Sequence, residues 1–198
     1  MNTALKEWAV VIEALARGRQ RFLLRKGGIG EGKRGFEMKH SEFLFYPTWE
    51  HQQIHSIRSE FHNLFEQTRP RQPGVVRFQY LAKATDVLRA PARLQDMRQL
   101  DADHIWAPPY LEMRYGYRPD LPLFAVIVRL YRLGTEAEIP EIRRYAGCRS
   151  WVSLDHEMDT ADTAPLEPDS TFEGARKSLL GKLLKHGATE QASFQVVP

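Results

Sequence analysis

Val75-Val76-Arg77-Phe78-Gln79-Tyr80-Leu81-Ala82-Lys83-Ala84 alternates apolar and polar side chains. Val76, Phe78, Tyr80, Ala82 and Ala84 fall on one side of an extended chain, with Arg77, Gln79 and Lys83 on the other. That period of two predicts a strand over Val75 to Leu88 with one face on a core. Before it, Thr68-Arg69-Pro70-Arg71-Gln72-Pro73-Gly74 carries two prolines and a glycine and is expected to be a loop. Further strands are expected at Gln20 to Leu24, Phe43 to Tyr46, Tyr110 to Tyr117, Leu123 to Leu133 and Arg149 to Leu154. His104-Ile105-Trp106 is a short extended piece ended by Pro108 and Pro109.

Helical spacing places Leu5, Trp8, Ala9, Ile12 and Leu15 on one face of Ala4 to Arg17, ended by Gly18. A second helix is expected from Thr48 or Trp49 to Phe65, with Ile54, Ile57, Phe61, Leu64 and Phe65 as its buried stripe. Shorter helical pieces are expected at Leu94 to Leu100 and Glu138 to Tyr145. Strands outnumber helices, and nothing alternates regularly as βαβ. The pattern predicts an α+β fold, mostly antiparallel, built as a partly closed β-barrel flanked by helices, with a C-terminal helical tail. Residues 1–154 form the expected domain and 155–173 an acidic linker. Residues 174–198 form an amphipathic helix and tail, with Leu179, Leu180, Leu183 and Leu184 on one side.

A chain of 198 residues is long enough to bury a core without staples. Cys148 is the only cysteine, so neither an intramolecular disulfide nor a cysteine metal cluster is available. Met1 to Trp8 lacks a basic segment followed by an apolar one, and the longest apolar run is interrupted by Pro122. The expectation is a soluble, cytoplasmic protein with no membrane contact. The net charge of +3 hides an asymmetry. Arg17, Arg19, Arg21, Arg25, Lys26, Lys33, Arg34 and Lys39 crowd one early segment, whereas Asp155 to Glu173 holds seven carboxylates and no Lys or Arg. The basic cluster suggests contact with a polyanion; a solvated charged face is the plainer alternative.

That cluster surrounds Arg25-Lys26-Gly27-Gly28-Ile29-Gly30-Glu31-Gly32-Lys33-Arg34-Gly35. Gly27 to Lys33 satisfies Gly-x-x-x-x-Gly-Lys. Arg34 stands where a phosphate-binding loop needs Ser or Thr, and no helix is expected to follow, so a flexible basic loop is the better reading. Glu37-x-Lys39 matches the end of a metal-dependent nuclease site, but no Asp precedes Asp86 to complete it. His51 and His55 would stand one turn apart on the expected second helix; neither a resident metal nor a cofactor is expected. Trp49 and Trp106 lie at loop junctions near His51, Gln52, His104 and Arg114. Aromatic faces beside amide and imidazole groups suit an extruded or single-stranded base, though core packing explains tryptophans as well. The expected nucleic-acid-binding residues are Arg25, Lys26, Lys33, Arg34, Trp49, His51, Gln52, Trp106 and Arg114. The first function expected is a binding module without chemistry of its own. The alternatives are a metal-dependent nuclease using Glu37, Lys39 and the His51/His55 pair, and a protein–protein adaptor built on the acidic segment and terminal helix.

Several separated runs, Ala4-Leu5-Lys6-Glu7-Trp8-Ala9, Leu23-Leu24-Arg25-Lys26-Gly27-Gly28-Ile29, Tyr46-Pro47-Thr48 with Glu50-His51-Gln52, His104-Ile105-Trp106, Arg118-Pro119 and Gly147-Cys148 with Ser150-Trp151-Val152, occur in one order. In these runs the sequence resembles a bacterial family catalogued only as a domain of unknown function, number 1802, from Ala4 to about Leu154. The resemblance implies no activity. It implies a restriction-modification or defence setting, with a restriction-endonuclease-like partner. The layout is also similar to PUA-like barrels, which include readers of modified bases.

Overall fold

The computed structural model describes residues 1–26, 35–70, 72–147 and 149–191. Its centre is the pair formed by β4 (Val75–Arg89) and β5 (Phe124–Pro140), antiparallel from Val75↔Pro140 to Arg89↔Phe124. The register shifts between Phe78 and Tyr80 and again between Ala84 and Asp86. Such irregularities bend a ribbon and increase its twist, and the sheet is strongly curled, a half-barrel. The sheet runs in the order β2 (Phe22–Arg25), β5, β4, β3 (Glu42–Thr48), β1 (Thr3–Trp8), β6 (Trp151–Ser153). Two short strands extend it: β7 (Ala164–Pro165) on β5 and β8 (Thr189–Glu190) on β4. Only β1 with β3 is parallel among these pairings. The mostly antiparallel α+β expectation therefore holds.

β1 corrects the first helix. Ala4 to Glu7 are all buried in extended backbone, and the helix α1 (Ala9–Ala16) starts only afterwards. β3 and β6 pair with the two edges of β1, and its two faces are both covered by packing: Leu5 enters the larger core and Ala4 a smaller one on the opposite side with Leu44 and Tyr46. A strand covered on both faces shows no alternation, and its buried run mimicked a helix's stripe.

The second expected helix is also replaced. His51 has φ +60°, and short 3-10 turns at Ile54–Ser56 and Ser59–Phe61 precede α2 (His62–Gln67). Ile57 instead bridges Trp106, with Ala107 N–H donating to the Ser56 carbonyl (2.9 Å) and Arg58 N–H to the Ile105 carbonyl (2.9 Å). This pairing with a distant segment overrides the local helical pattern. The expected strand at Tyr110 to Tyr117 is a helix, α4 (Pro108–Gly116), preceded by α3 (Leu94–Met97). Pro108 and Pro109 open α4, because their fixed φ suits a first turn whose N–H groups have no partner anyway.

β5 runs on to Pro140, so only Arg143–Tyr145 remains as a helical turn where Glu138 to Tyr145 was expected. The acidic stretch lies against the domain. A Cβ on Gly134 would stand 2.7 Å from the Asp162 carbonyl oxygen, so only glycine lets the backbones approach so closely. The last helix, α5 (Asp169–Lys185), begins earlier than expected and buries Phe172, Leu179 and Leu183 in the larger core. Arg176 grips Asp86 of β4 through two bonds of 2.6 Å, and Lys182 reaches Asp103 at 2.7 Å. Among the described residues, no helix is long and apolar enough to cross a membrane.

Candidate functional site

Where β1, β2 and α4 meet, a cleft of about 380 Å³ opens. β1 contributes Lys6, Glu7 and Trp8; β2 contributes Leu24 and Arg25; α4 contributes Tyr110, Met113 and Arg114. Thr48, Glu50 and His51 close one side, and Tyr117, Gly147, Arg149 and Ser150 close another. Four of the runs that carry the family resemblance thus supply walls of one cavity: those at Lys6, Arg25, Thr48 to His51 and Gly147 to Ser150. An apolar wall with a few converging polar groups is the usual make-up of a small-ligand site.

The charged groups are held by neighbours. Arg25 Nη1 donates to Glu7 Oε2 (3.2 Å) and to the Lys6 carbonyl (3.1 Å), and its guanidinium lies over the Phe36 ring. Glu7 Oε1 accepts the Trp8 N–H at 2.8 Å. Lys6 Nζ donates to the Gly147 carbonyl (3.2 Å) and lies over the Tyr46 ring. Arg114 Nη2 donates to the Leu24 carbonyl at 3.3 Å, while its Nε is buried without a hydrogen-bond partner among the described residues. That nitrogen is closed to solvent, so only the Nη groups of Arg114 can meet a ligand in the cleft. Burial pushes the Tyr110 hydroxyl up to about 12, so it stays protonated as a potential donor.

The expected binding residues divide between roles. Arg25, His51 and Arg114 are brought together at this cleft. Lys26 is buried instead, its Nζ donating to the carbonyls of Arg114 (3.1 Å) and Tyr115 (3.2 Å) in the last turn of α4. It satisfies orphan carbonyls and complements the helix dipole. Burial first, then the Arg114 charge, lowers its pKa. Gln52 Oε1 accepts the Val10 N–H at 3.2 Å, near the start of α1. Trp49 turns to the opposite side of β3, and its indole N–H donates to the Thr68 carbonyl. Trp106 is only 1% exposed. Its ring stacks on Tyr110 (5.3 Å between centroids, 12° between planes), and Tyr110 in turn meets Trp8 at 5.1 Å. Trp106 therefore backs the wall that Tyr110 and Trp8 present. Lys33 and Arg34 lie outside the described residues.

Sequence reasoning missed Lys6, Glu7, Trp8, Tyr110, Tyr117 and Arg149 as site residues. One signal was present: the charged pair Lys6-Glu7 stands within an otherwise apolar run, Ala4 to Ala9, and is buried with it except at Trp8. Glu37 and Lys39 are exposed, and the Glu37 carbonyl accepts the Trp151 indole N–H at 3.0 Å. With a left-handed turn at His51 before the turn that holds His55, the two do not share a helix. Among the described residues, no three His, Cys, Asp or Glu side chains group as metal ligands.

No curated protein and no solved structure matches the chain. The model of a family described as a domain of unknown function, DUF1802, matches residues 4–178, passing Leu154, crossing the acidic stretch and entering α5. The match covers most of the chain, and the chain belongs to that family.

Proposed function

We propose that this chain is a nucleic-acid-binding module that takes a single base, extruded or single-stranded, into the cleft between β1, β2 and α4. The observation that carries the reading is the meeting of Arg25, Arg114 and His51 with the rings of Trp8 and Tyr110 in one base-sized cavity. Guanidinium groups suit phosphate and base edges, and aromatic walls suit a base's flat face. The layout of the sequence resembles PUA-like barrels, and the half-barrel sheet accommodates that reading, with α5 as a C-terminal helical addition. That similarity supports a base or modified-base reader, working in the restriction or defence setting with a nuclease partner that the family resemblance implies.

The test is fluorescence anisotropy with labelled single- and double-stranded DNA and RNA across a salt series. Affinity is expected to fall steeply with salt, and Arg114→Gln is expected to weaken binding by about tenfold and reduce the salt slope by about one. Absence of binding to every nucleic acid at low salt, or an unchanged affinity in Arg114→Gln, overturns the reading.

A further inference from the structure

The small cleft has a larger neighbour of about 790 Å³ across β3. The end of β3 and the residues after it form the ridge between them. Pro47 and Trp49 face the large cleft, while Thr48 and Glu50 face the small one, as the two-residue period of an extended chain requires. Past them, His51 turns at φ +60° on the side of the small cleft.

The large cleft is lined by Arg17, Arg69, Arg77 and Arg132 with Glu13 and Glu138, and Arg77 and Arg132 are both held by Glu136 beside it. These guanidiniums come from the C-terminal cap of α1, the loop after α2, β4 and β5, so folding, not sequence proximity, gathers them. Arg17 and Arg69 are half or more exposed and pair with Glu13 and Glu66 one helical turn away. Exposed pairs at this spacing contribute little, so a phosphate can take the carboxylate's place. Arg132 lies over the Tyr80 ring at 5.1 Å and donates to its hydroxyl at 3.4 Å. Gln79, on the same wall, donates its amide N–H to Glu136 at 2.9 Å, which leaves its amide oxygen as an acceptor for a base edge.

We infer that a single strand of nucleic acid crosses the Pro47–His51 ridge, its sugar-phosphate backbone held by Arg17 and Arg69 of the large cleft while one base occupies the small cleft. The inference rests on the reading above and adds a direction and a length to it. A duplex does not fit this path, because a rigid paired helix cannot lay its backbone in one cleft and a base in the other without unpairing. The large cleft, with about twice the volume of the small one, accommodates the nucleotides flanking the seated base.

The experiment measures binding of labelled dinucleotides and of single strands of about twelve nucleotides, as DNA and as RNA. The proteins compared are the full chain and its Arg17→Gln/Arg69→Gln variant. Both substitutions are at exposed side chains, and thermal melting checks that the fold is kept. The expected result is a gain of about tenfold or more from dinucleotide to long strand in the unaltered chain. The variant should lose most of that gain and keep the dinucleotide affinity. A length gain that survives in the variant, with dinucleotide binding intact, overturns the path and leaves the base-binding reading standing. Preference for duplex over single strand likewise overturns the path. Failure of both dinucleotide and long strand to bind the unaltered chain overturns both.

Discussion

Arg25 and Glu7, eighteen residues apart in sequence, meet at 3.2 Å with side chains only 12% and 8% exposed. The carboxylate also accepts the Trp8 N–H, so one buried pair ties β1 to β2 and sets the wall of the small cleft. Truncating one partner strands the other's charge away from water. Glu7→Ala is expected to lower stability by about 3 kcal/mol. The double variant Glu7→Ala/Arg25→Ala should lose less than the sum of its single changes, measured by urea unfolding of all four proteins.

Trp106 packs behind the cleft wall and not at its surface. Trp106→Ala is expected to cost about 3–5 kcal/mol, as large-to-small core changes do, with Trp106→Phe costing less. Tyr110 should stay in place in the phenylalanine variant, leaving nucleic-acid affinity unchanged. Thermal melting and anisotropy on the same preparations check both statements.

His104 is fully buried, and burial, with the Arg58 charge beside it, pulls its pKa from 6.5 down to about 3. Asp101 Oδ1 stands 3.4 Å from its Nε2. The unfolded imidazole takes up a proton near pH 6.5 and the folded one only near pH 3, so the unfolded state binds more protons between these values. This contribution to stability is complete above pH 6.5 and is lost as the pH falls through that window. At pH 5 the loss is expected to be about 2 kcal/mol relative to pH 7. His104→Gln should flatten this acid slope, as read from unfolding midpoints at several pH values.

Asp86 and Arg176 fasten α5 to β4 through two bonds of 2.6 Å, with side chains 14% and 25% exposed. Asp86→Asn keeps the shape and removes the charge, leaving Arg176 with Glu173 as its remaining carboxylate. The expected cost is about 2 kcal/mol. Limited proteolysis should show faster cleavage between residues 155 and 168, where the chain joins α5 to the sheet.

The terminal helix also bears on an adaptor role. Its apolar side chains Phe172, Leu179 and Leu183 are consumed by the chain's own core, and Arg21 and Arg129 pair with Glu167 and Asp169. The charge asymmetry visible along the sequence is thus partly neutralised by folding acidic residues onto basic ones. Periodicity in the sequence located α5 but not its partner surface, because amphipathicity says that a face is buried and not against what.

What the sequence determined by itself was the α+β class, the long β4 strand and the family. Alternation over Val75 to Ala84 and the ordered runs at Lys6, Arg25 and His51 are local patterns that survive any tertiary arrangement. Tertiary structure alone decided that Ala4 to Glu7 is an internal strand, that Ile57 pairs with Trp106, and that Lys26 caps α4 while Arg25 faces the cleft. The physical reason is that burial on both faces erases the two-residue period. A bridge between distant segments leaves no mark on either segment alone. Adjacent cations such as Arg25 and Lys26 point to opposite sides of an extended chain, so only the surrounding elements determine which one meets a ligand.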